Sequence, residues 1–353
     1  MTGTALGDLL LDLLAMPCVT GEEGPIAAWL EERYAQAGER VRRSGNSIVA
    51  GGSEDGRPVV LLVGHTDVVP PTPSDITARR EEDRIVGRGA TDMKSGLAVA
   101  MDCFEDAALR QGPYDLVLVA YAGEEGSHDS NELGPLLMAM PDLTAAALAV
   151  VMEPTDLTVQ LGCMGALHAE VTFHGRAAHS ARPWQGDNAL TGAGEFLTEL
   201  HARQPEDVEV DEMVYREVFT ATRGWTSNAR NVVPDAFTIN VNYRFAPDKT
   251  LTDAEERMLD VVAERGSVTF VDRAPAGRPR RDDALVTSFL DSVGGPVEPK
   301  QAWTDVARFS DVGVPALNYG PGITAQAHQA GEYVPEANLG IARDAMAAFL
   351  SGR

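Results

Sequence analysis

Val59, Val60, Leu61, Leu62 and Val63 follow one another without a polar break and run into Gly64 and His65. An uninterrupted apolar run of that length predicts a strand buried on both faces of a parallel sheet, because a half-exposed strand would alternate. The same texture recurs over residues 116–122, ahead of Gly123-Glu124-Glu125, and over 146–152, ahead of Glu153. Between the first two runs, residues 95–109 carry apolar side chains at helical spacing, so strands and helices alternate as βαβ units do. Leu6, Leu9, Leu10, Leu13 and Leu14 predict an amphipathic helix within residues 1–16, where acidic residues and the lack of basic ones argue against a secretory signal.

From about residue 165 to 271 the texture changes to alternating strands, such as 167–173 and 237–245, with helices predicted over 188–202 and 253–264. After the Pro/Gly/Arg-rich stretch 274–281, a helix over 284–293, a strand-like segment over 316–319 and a final helix over 335–350 return to the first style. The expected fold is α/β: residues 1–164 and 274–353 form a domain with a mixed, mostly parallel sheet flanked by helices, interrupted by an α+β domain at 165–273.

Composition narrows the function classes. The 353 residues leave room for two domains, and no run of about 18 apolar residues offers a membrane span. With 29 Lys+Arg against 53 Asp+Glu, the net charge of -24 repels phosphate backbones and anionic lipid, so nucleic acid and membranes are not expected partners. Cys18, Cys103 and Cys163 are odd in number and scattered, giving neither a disulfide framework nor a cysteine-rich zinc site. A cytoplasmic location is expected.

The chemistry gathers at the ends of the predicted strands, where ligands collect in open α/β sheets. His65-Thr66-Asp67 offers an imidazole ligand with a carboxylate that orients it, or an ordinary surface turn. Residues 87–96, GRGATDMKSG, form a glycine-rich loop entering a helix. Met93 stands where a P-loop requires glycine before its lysine, and Asp92 stands where the dinucleotide fingerprint requires its third glycine. Asp92 there suits a bridge between two cations, or Thr91 or Asp92 caps the helix. Glu124 and Glu125 are adjacent carboxylates that are costly together unless cations neutralise them, and one can ligate while its neighbour takes a proton from water; the alternative is a solvated acidic loop. Glu153 ends another strand, and His328 lies in the Gly/Pro-rich loop 320–328. Imidazoles with carboxylates suit catalytic zinc or its near neighbours, and a carboxylate bridging two ions suits hydrolysis of an amide or ester.

The set GHTDVVP (64–70), GRGATDMKSG (87–96), AGEEGS (122–127), MEP (152–154) and the late His328 resembles the M20 metallopeptidases, and the similarity extends to HGRAAHSARPWQGDNA (174–189) in the inserted domain. The resemblance implies a catalytic domain holding two zinc ions per subunit, with cobalt able to substitute. His65, Asp92 and Glu153 would hold one, Asp92, Glu125 and His328 the other, with Asp92 bridging, Glu124 as general base, Asp67 orienting His65 and the Asp92–Met93 peptide cis. It implies that the inserted domain serves as lid and homodimer interface, and that His179 stabilises the oxyanion.

Within that family, KQAWTDVARF (300–309) and NYGPG (318–322) are most similar to the actinobacterial desuccinylase branch, amidohydrolases of N-succinyl-LL-2,6-diaminopimelate, a small-molecule substrate. That branch implies substrate contacts from Asn231, Arg244 and Thr304, an arginine fork suiting a dicarboxylic acyl group. Where many desuccinylases read His-Val-Ala-Tyr-Pro this chain has His179-Ser-Ala-Arg182-Pro183, so Arg182 takes the tyrosine's position and is a candidate for a carboxylate contact. Other deacylases of the family, such as acetylornithine deacetylase or an aminoacylase, are the nearest alternative. A non-catalytic binding protein on the same fold is a third, disfavoured by the presence of Glu124.

Overall fold

The computed structural model describes residues 3–16, 18–53 and 55–352. The chain forms two compact units, one made of Met1–Gly162, Pro279–Lys300 and Thr304–Arg353, the other of Cys163–Arg278 with Gln301–Trp303.

The first unit is built on an eight-stranded sheet in the order Val41–Ser44, Ser47–Gly51, Asp115–Tyr121, Val59–His65, Leu148–Val151, Ala316–Asn318, Val159–Leu161, Val297–Pro299. Asp115–Tyr121, Val59–His65, Leu148–Val151 and Ala316–Asn318 run parallel at its centre. Antiparallel pairing is confined to the flanks, so the sheet is mixed and mostly parallel, as the apolar runs predict. Asp115–Tyr121 is buried at every position and Val59–His65 at all but its first. From Val59–His65 the chain crosses to one neighbour, Asp115–Tyr121, and then back to the other, Leu148–Val151. That reversal opens a crevice at the C-terminal strand ends, the place where open α/β sheets bind ligands.

Helix Gly3–Leu14 contributes Leu6, Leu10 and Leu13 to a continuous core with Leu97 and Met101 of helix Lys94–Glu105 and with Leu339, Met346 and Leu350 of helix Glu336–Leu350. Truncating a leucine buried like these costs about 2–5 kcal/mol. Helix Lys94–Glu105 lies so close to the sheet that a Cβ on Gly96 would sit 1.9 Å from the Met152 carbonyl oxygen. Glycine there lets the helix press against the strand end that carries Glu153.

The helix expected over 95–109 is two helices, Lys94–Glu105 and Ala107–Arg110. Asp106 is extended, and its carboxylate accepts the N–H groups of Ala108 and Leu109. The cap outweighs the continuing apolar period. The helix expected over 188–202 likewise divides, into Ala189–Gly192 and Gly194–Ala202, between two glycines that weaken a helix interior.

The second unit contains a five-stranded antiparallel sheet in the order Glu206–Val210, Met213–Trp225, Ala236–Phe245, Gly165–His174, Ser267–Ala274. Leu167, Ala169, Val171 and Phe173 alternate into a core with Phe196, Met258 and Val262. Helix Leu251–Val262 starts two residues earlier than its apolar pattern suggests, because Thr250 and Asp253 form a capping box. Among the described residues no helix is long and apolar enough to cross a membrane.

Candidate metal centre

His65 ends its strand with a fully buried ring. Its Nδ1 lies 3.0 Å from the backbone carbonyl of Asp67. The Asp67 carboxylate, 3.6 Å from Nδ1, is engaged elsewhere: it accepts the N–H of Glu124 and the N–H of Glu125, each at 3.0 Å, and the Thr20 hydroxyl at 2.8 Å. The structure thus divides the role expected of Asp67. Its main chain meets the imidazole, and its carboxylate ties the Gly123–Gly126 turn to the neighbouring strand end. The free face of the ring points into the crevice, with Nε2 3.4 Å from Asp92 Oδ1 and 4.0 Å from Glu124 Oε2.

The Asp92–Met93 peptide is cis, as the resemblance implies. Asp92 Oδ1 faces His65, and Oδ2 lies 3.4 Å from His328 Nε2. His328, at a φ of 62°, also approaches Glu125 Oε2 at 2.9 Å. Three groups each offer ligand atoms within 4.8 Å of one another: His65 with Asp92 and Glu153, His65 with Glu124 and Glu125, and Asp92 with Glu125 and His328. His65 Nε2 and Glu153 Oε1 are buried and have no hydrogen-bond partner among the described residues. A buried donor or acceptor left open is costly, and two of them aimed at one carboxylate-rich point fit a bound cation.

The electrostatics express the same demand. Burial pulls the His65 imidazole down, yet the surrounding Asp92, Glu124, Asp67 and Glu153 outweigh it and hold the ring well above the usual histidine range. Hydrogen bonds to Asp92 and Glu125 push His328 up to about 10. Burial, reinforced by the Asp92 charge, lifts Glu153 to about 7, and burial with the Glu153, Asp305 and Glu125 charges raises Glu124 well above the carboxylate range despite His65. Burial works against the charged form of Asp92 too, but its contacts with His328 and His65 hold it low. Imidazoles and carboxylates crowded in this way mark a place where a cation would relieve the burial and the like charge.

Two buried acids escaped the sequence reading. Glu332 Oε1 accepts the N–H groups of Thr91 and Asp92 at 2.8 and 3.0 Å. Asp305 accepts the Tyr121 hydroxyl at 2.6 Å and the Asn131 amide at 2.9 Å, holding both ends of the segment that carries Glu124 and Glu125. Thr304 is buried just before Asp305. Glu332 lies outside the quoted motifs, Asp305 lies within the 300–309 stretch with no role read for it, and their partners are 240 and 184 residues away.

The remaining candidates lie in the second unit. His179 pairs with Val232 in a short two-stranded ladder, Asn231 accepts the Ser180 N–H at 2.9 Å, and the Arg182 N–H donates to the His179 carbonyl at 2.8 Å. His179, Arg182 and Asn231 are therefore neighbours, all exposed. Arg244 stands apart from them, on strand Ala236–Phe245, donating to Asn242 Oδ1 at 3.0 Å.

The model of Peptidase family M20/M25/M40 matches residues 61–352. The chain belongs to that peptidase family. As an M20 protein it is a hydrolase of a metal-dependent family. It is 35% identical over 342 residues to the succinyl-diaminopimelate desuccinylase of Corynebacterium glutamicum, which spans 94% of this chain and 92% of that one. It is 32% identical over 327 residues to the acetylornithine deacetylase of Myxococcus xanthus, covering 86% and 84% of the two chains. Among solved structures, a tripeptidase from Staphylococcus aureus shares the fold at a TM-score of 0.81 and 20% identity, covering 99% of this chain and 98% of that one.

Proposed function

We propose that this M20 deacylase removes the succinyl group from N-succinyl-LL-2,6-diaminopimelate, releasing succinate and LL-2,6-diaminopimelate, at a site for two divalent cations. The observation that carries the two-cation reading is Asp92, whose oxygens face His65 on one side and His328 on the other. His65, Asp92 and Glu153 would hold one ion and Asp92, Glu125 and His328 the second. This imidazole–carboxylate set suits zinc, with cobalt as a substitute. When bound, such ions polarise an acyl carbonyl and acidify water.

The chain's own residues would do the rest. Glu124, fixed through its N–H to Asp67, takes the proton from the attacking water as the new C–O bond forms. It returns that proton to the amine as the C–N bond breaks. His179 donates to the oxyanion, while Arg244, Arg182, Asn231 and Thr304 contact the substrate's carboxylates and amide. Similarity to a desuccinylase at 35% identity over nearly the whole chain supports the succinyl group. The 32% identity to an acetylornithine deacetylase supports acetylornithine as the runner-up substrate.

We place the enzyme in the cytoplasm as a homodimer assembled through residues 165–273, the lid domain. Cys18, Cys103 and Cys163 are buried as thiols, which suits a reducing compartment. The decisive experiment is a substrate panel on zinc-loaded protein. Release of succinate from N-succinyl-LL-2,6-diaminopimelate in preference to acetate from N-acetylornithine is the expected result. The reverse preference would remove the substrate assignment and keep the chemistry.

A further inference from the structure

Residues 320–332 form the loop that carries His328, and the structure pins this loop at both ends to the Asp92 loop. Near its start, the Ile323 N–H donates to Thr91 Oγ1 at 2.7 Å. At its end, Glu332 Oε1 accepts the Thr91 and Asp92 N–H groups, and its backbone carbonyl accepts the Gly87 N–H at 2.9 Å. Glu332 Oε2 accepts from Arg88 Nη1 at 2.8 Å, Arg88 Nη2 lies 3.1 Å from Asp75 Oδ2, and that oxygen accepts the Gly331 N–H at 3.1 Å. Glu332, Asp75 and Arg88 are all buried. A buried carboxylate is tolerated only when its lone pairs are met, and here amides and a guanidinium meet them.

Between the two pins, the His328 side chain is 51% exposed, whereas that of His65 is 0% exposed on its strand. The sheet therefore fixes His65, and the clamp fixes His328. Two of the three groups assigned to the second cation, Asp92 and His328, ride on the clamped loops, against one of three for the first.

We propose that Glu332 is a positioning residue that sets the separation of Asp92 and His328 and so governs affinity for the cation shared by Asp92, Glu125 and His328. This rests on the two-cation reading above. Hydrogen-bonding partners behind ligands typically change metal affinity by roughly 10–100-fold.

The test is a zinc titration of the metal-free, full-length protein against a chromogenic chelator. In wild-type protein two ions bind, and His328→Ala identifies the step belonging to the second. Glu332→Ala and Glu332→Asp are expected to weaken that step about tenfold or more and to leave the other within about threefold. The aspartate keeps a charge facing Arg88 but withdraws by one methylene from the amides, so it serves even if the alanine variant does not fold. Asp106→Ala, a destabilised variant at the opposite end of helix Lys94–Glu105 from the Asp92 loop, should leave both steps unchanged. An unchanged second step in a folded Glu332 variant, equal weakening of both steps, or matching weakening in Asp106→Ala would overturn the inference alone. Wild-type protein that binds fewer than two ions would overturn the two-cation reading and this inference with it.

Discussion

The carboxylate of Asp67 and the backbone N–H of Glu124 are joined at 3.0 Å, so the residue proposed as base is held through its main chain by an acid 57 residues earlier. The other Asp67 oxygen accepts the Glu125 N–H and the Thr20 hydroxyl. One side chain therefore orients the turn that presents both glutamates. Asp67→Ala strands two amides, at about 1–3 kcal/mol each if they stay dry, while the Asp67 backbone carbonyl remains to meet His65. The expected outcome is a loss of kcat of about 10–100-fold with KM little changed, and a lower melting temperature. Equal loss in kcat and gain in KM would point to a disordered substrate site instead.

Glu124 itself carries the proton transfer in the proposed reaction. Glu124→Gln keeps the shape of the side chain and the backbone tie to Asp67 but removes the basic oxygen. General-base contributions are typically about 10²–10⁴-fold, so kcat should fall by that much while zinc content stays at the wild-type level. Zinc content by elemental analysis and single-turnover rates decide it: substantial turnover with full metal would show that another group is the base.

How far the sequence reaches follows from the kind of signal each feature leaves. The catalytic strands were legible because a parallel sheet buried on both faces demands unbroken apolar runs, and Asp115–Tyr121 obeys at every position. His65, Asp92, Glu125, Glu153 and His328 stood out only as a set, placed at successive strand ends and in one late loop. Strand Met213–Trp225 left a weaker trace: it alternates over its first residues, but its final six are exposed on both faces and show no period of two. The contact of His65 with the Asp67 carbonyl involves a main-chain atom that every residue possesses, so sequence pointed to the carboxylate instead. Glu332 and Asp305 act across the whole chain on groups that no local pattern connects to them.

Cation removal should be visible in stability as well as in rate. Without ions, buried Glu153 is pushed up to about 7 and Glu124 well above the carboxylate range, so charges that cannot be neutralised by metal take up protons or repel. A ligand present at 100 times its dissociation constant stabilises a fold by about 2.7 kcal/mol, which for a domain of this size raises the melting temperature by about 5–10 °C. Zinc added to chelator-treated protein should produce that rise, and His65→Ala should abolish most of it. An identical melting curve with and without zinc in the wild-type protein would contradict the assignment of these residues as ligands.

A last prediction concerns Asp106, where two helices meet. Burial works against its charge, but the N–H groups of Ala108 and Leu109 and the Arg343 guanidinium outweigh it and hold the carboxyl below its ordinary value. Arg343 also bonds Asp102 Oδ2 at 3.0 Å, which ties helix Glu336–Leu350 to the end of Lys94–Glu105. A carboxyl with a depressed folded-state pKa stabilises the fold fully above its unfolded value of about 3.9, and that contribution disappears as pH falls through the folded value. Asp106→Ala should therefore cost about 1–2 kcal/mol near neutral pH, mostly the lost cap, with a smaller share from the part-exposed ion pair. Urea melts of the two proteins should differ by that amount at pH 7 and draw together as pH falls below about 4. A gap that stays constant over this range would mean that the carboxylate's charge contributes nothing to the cap.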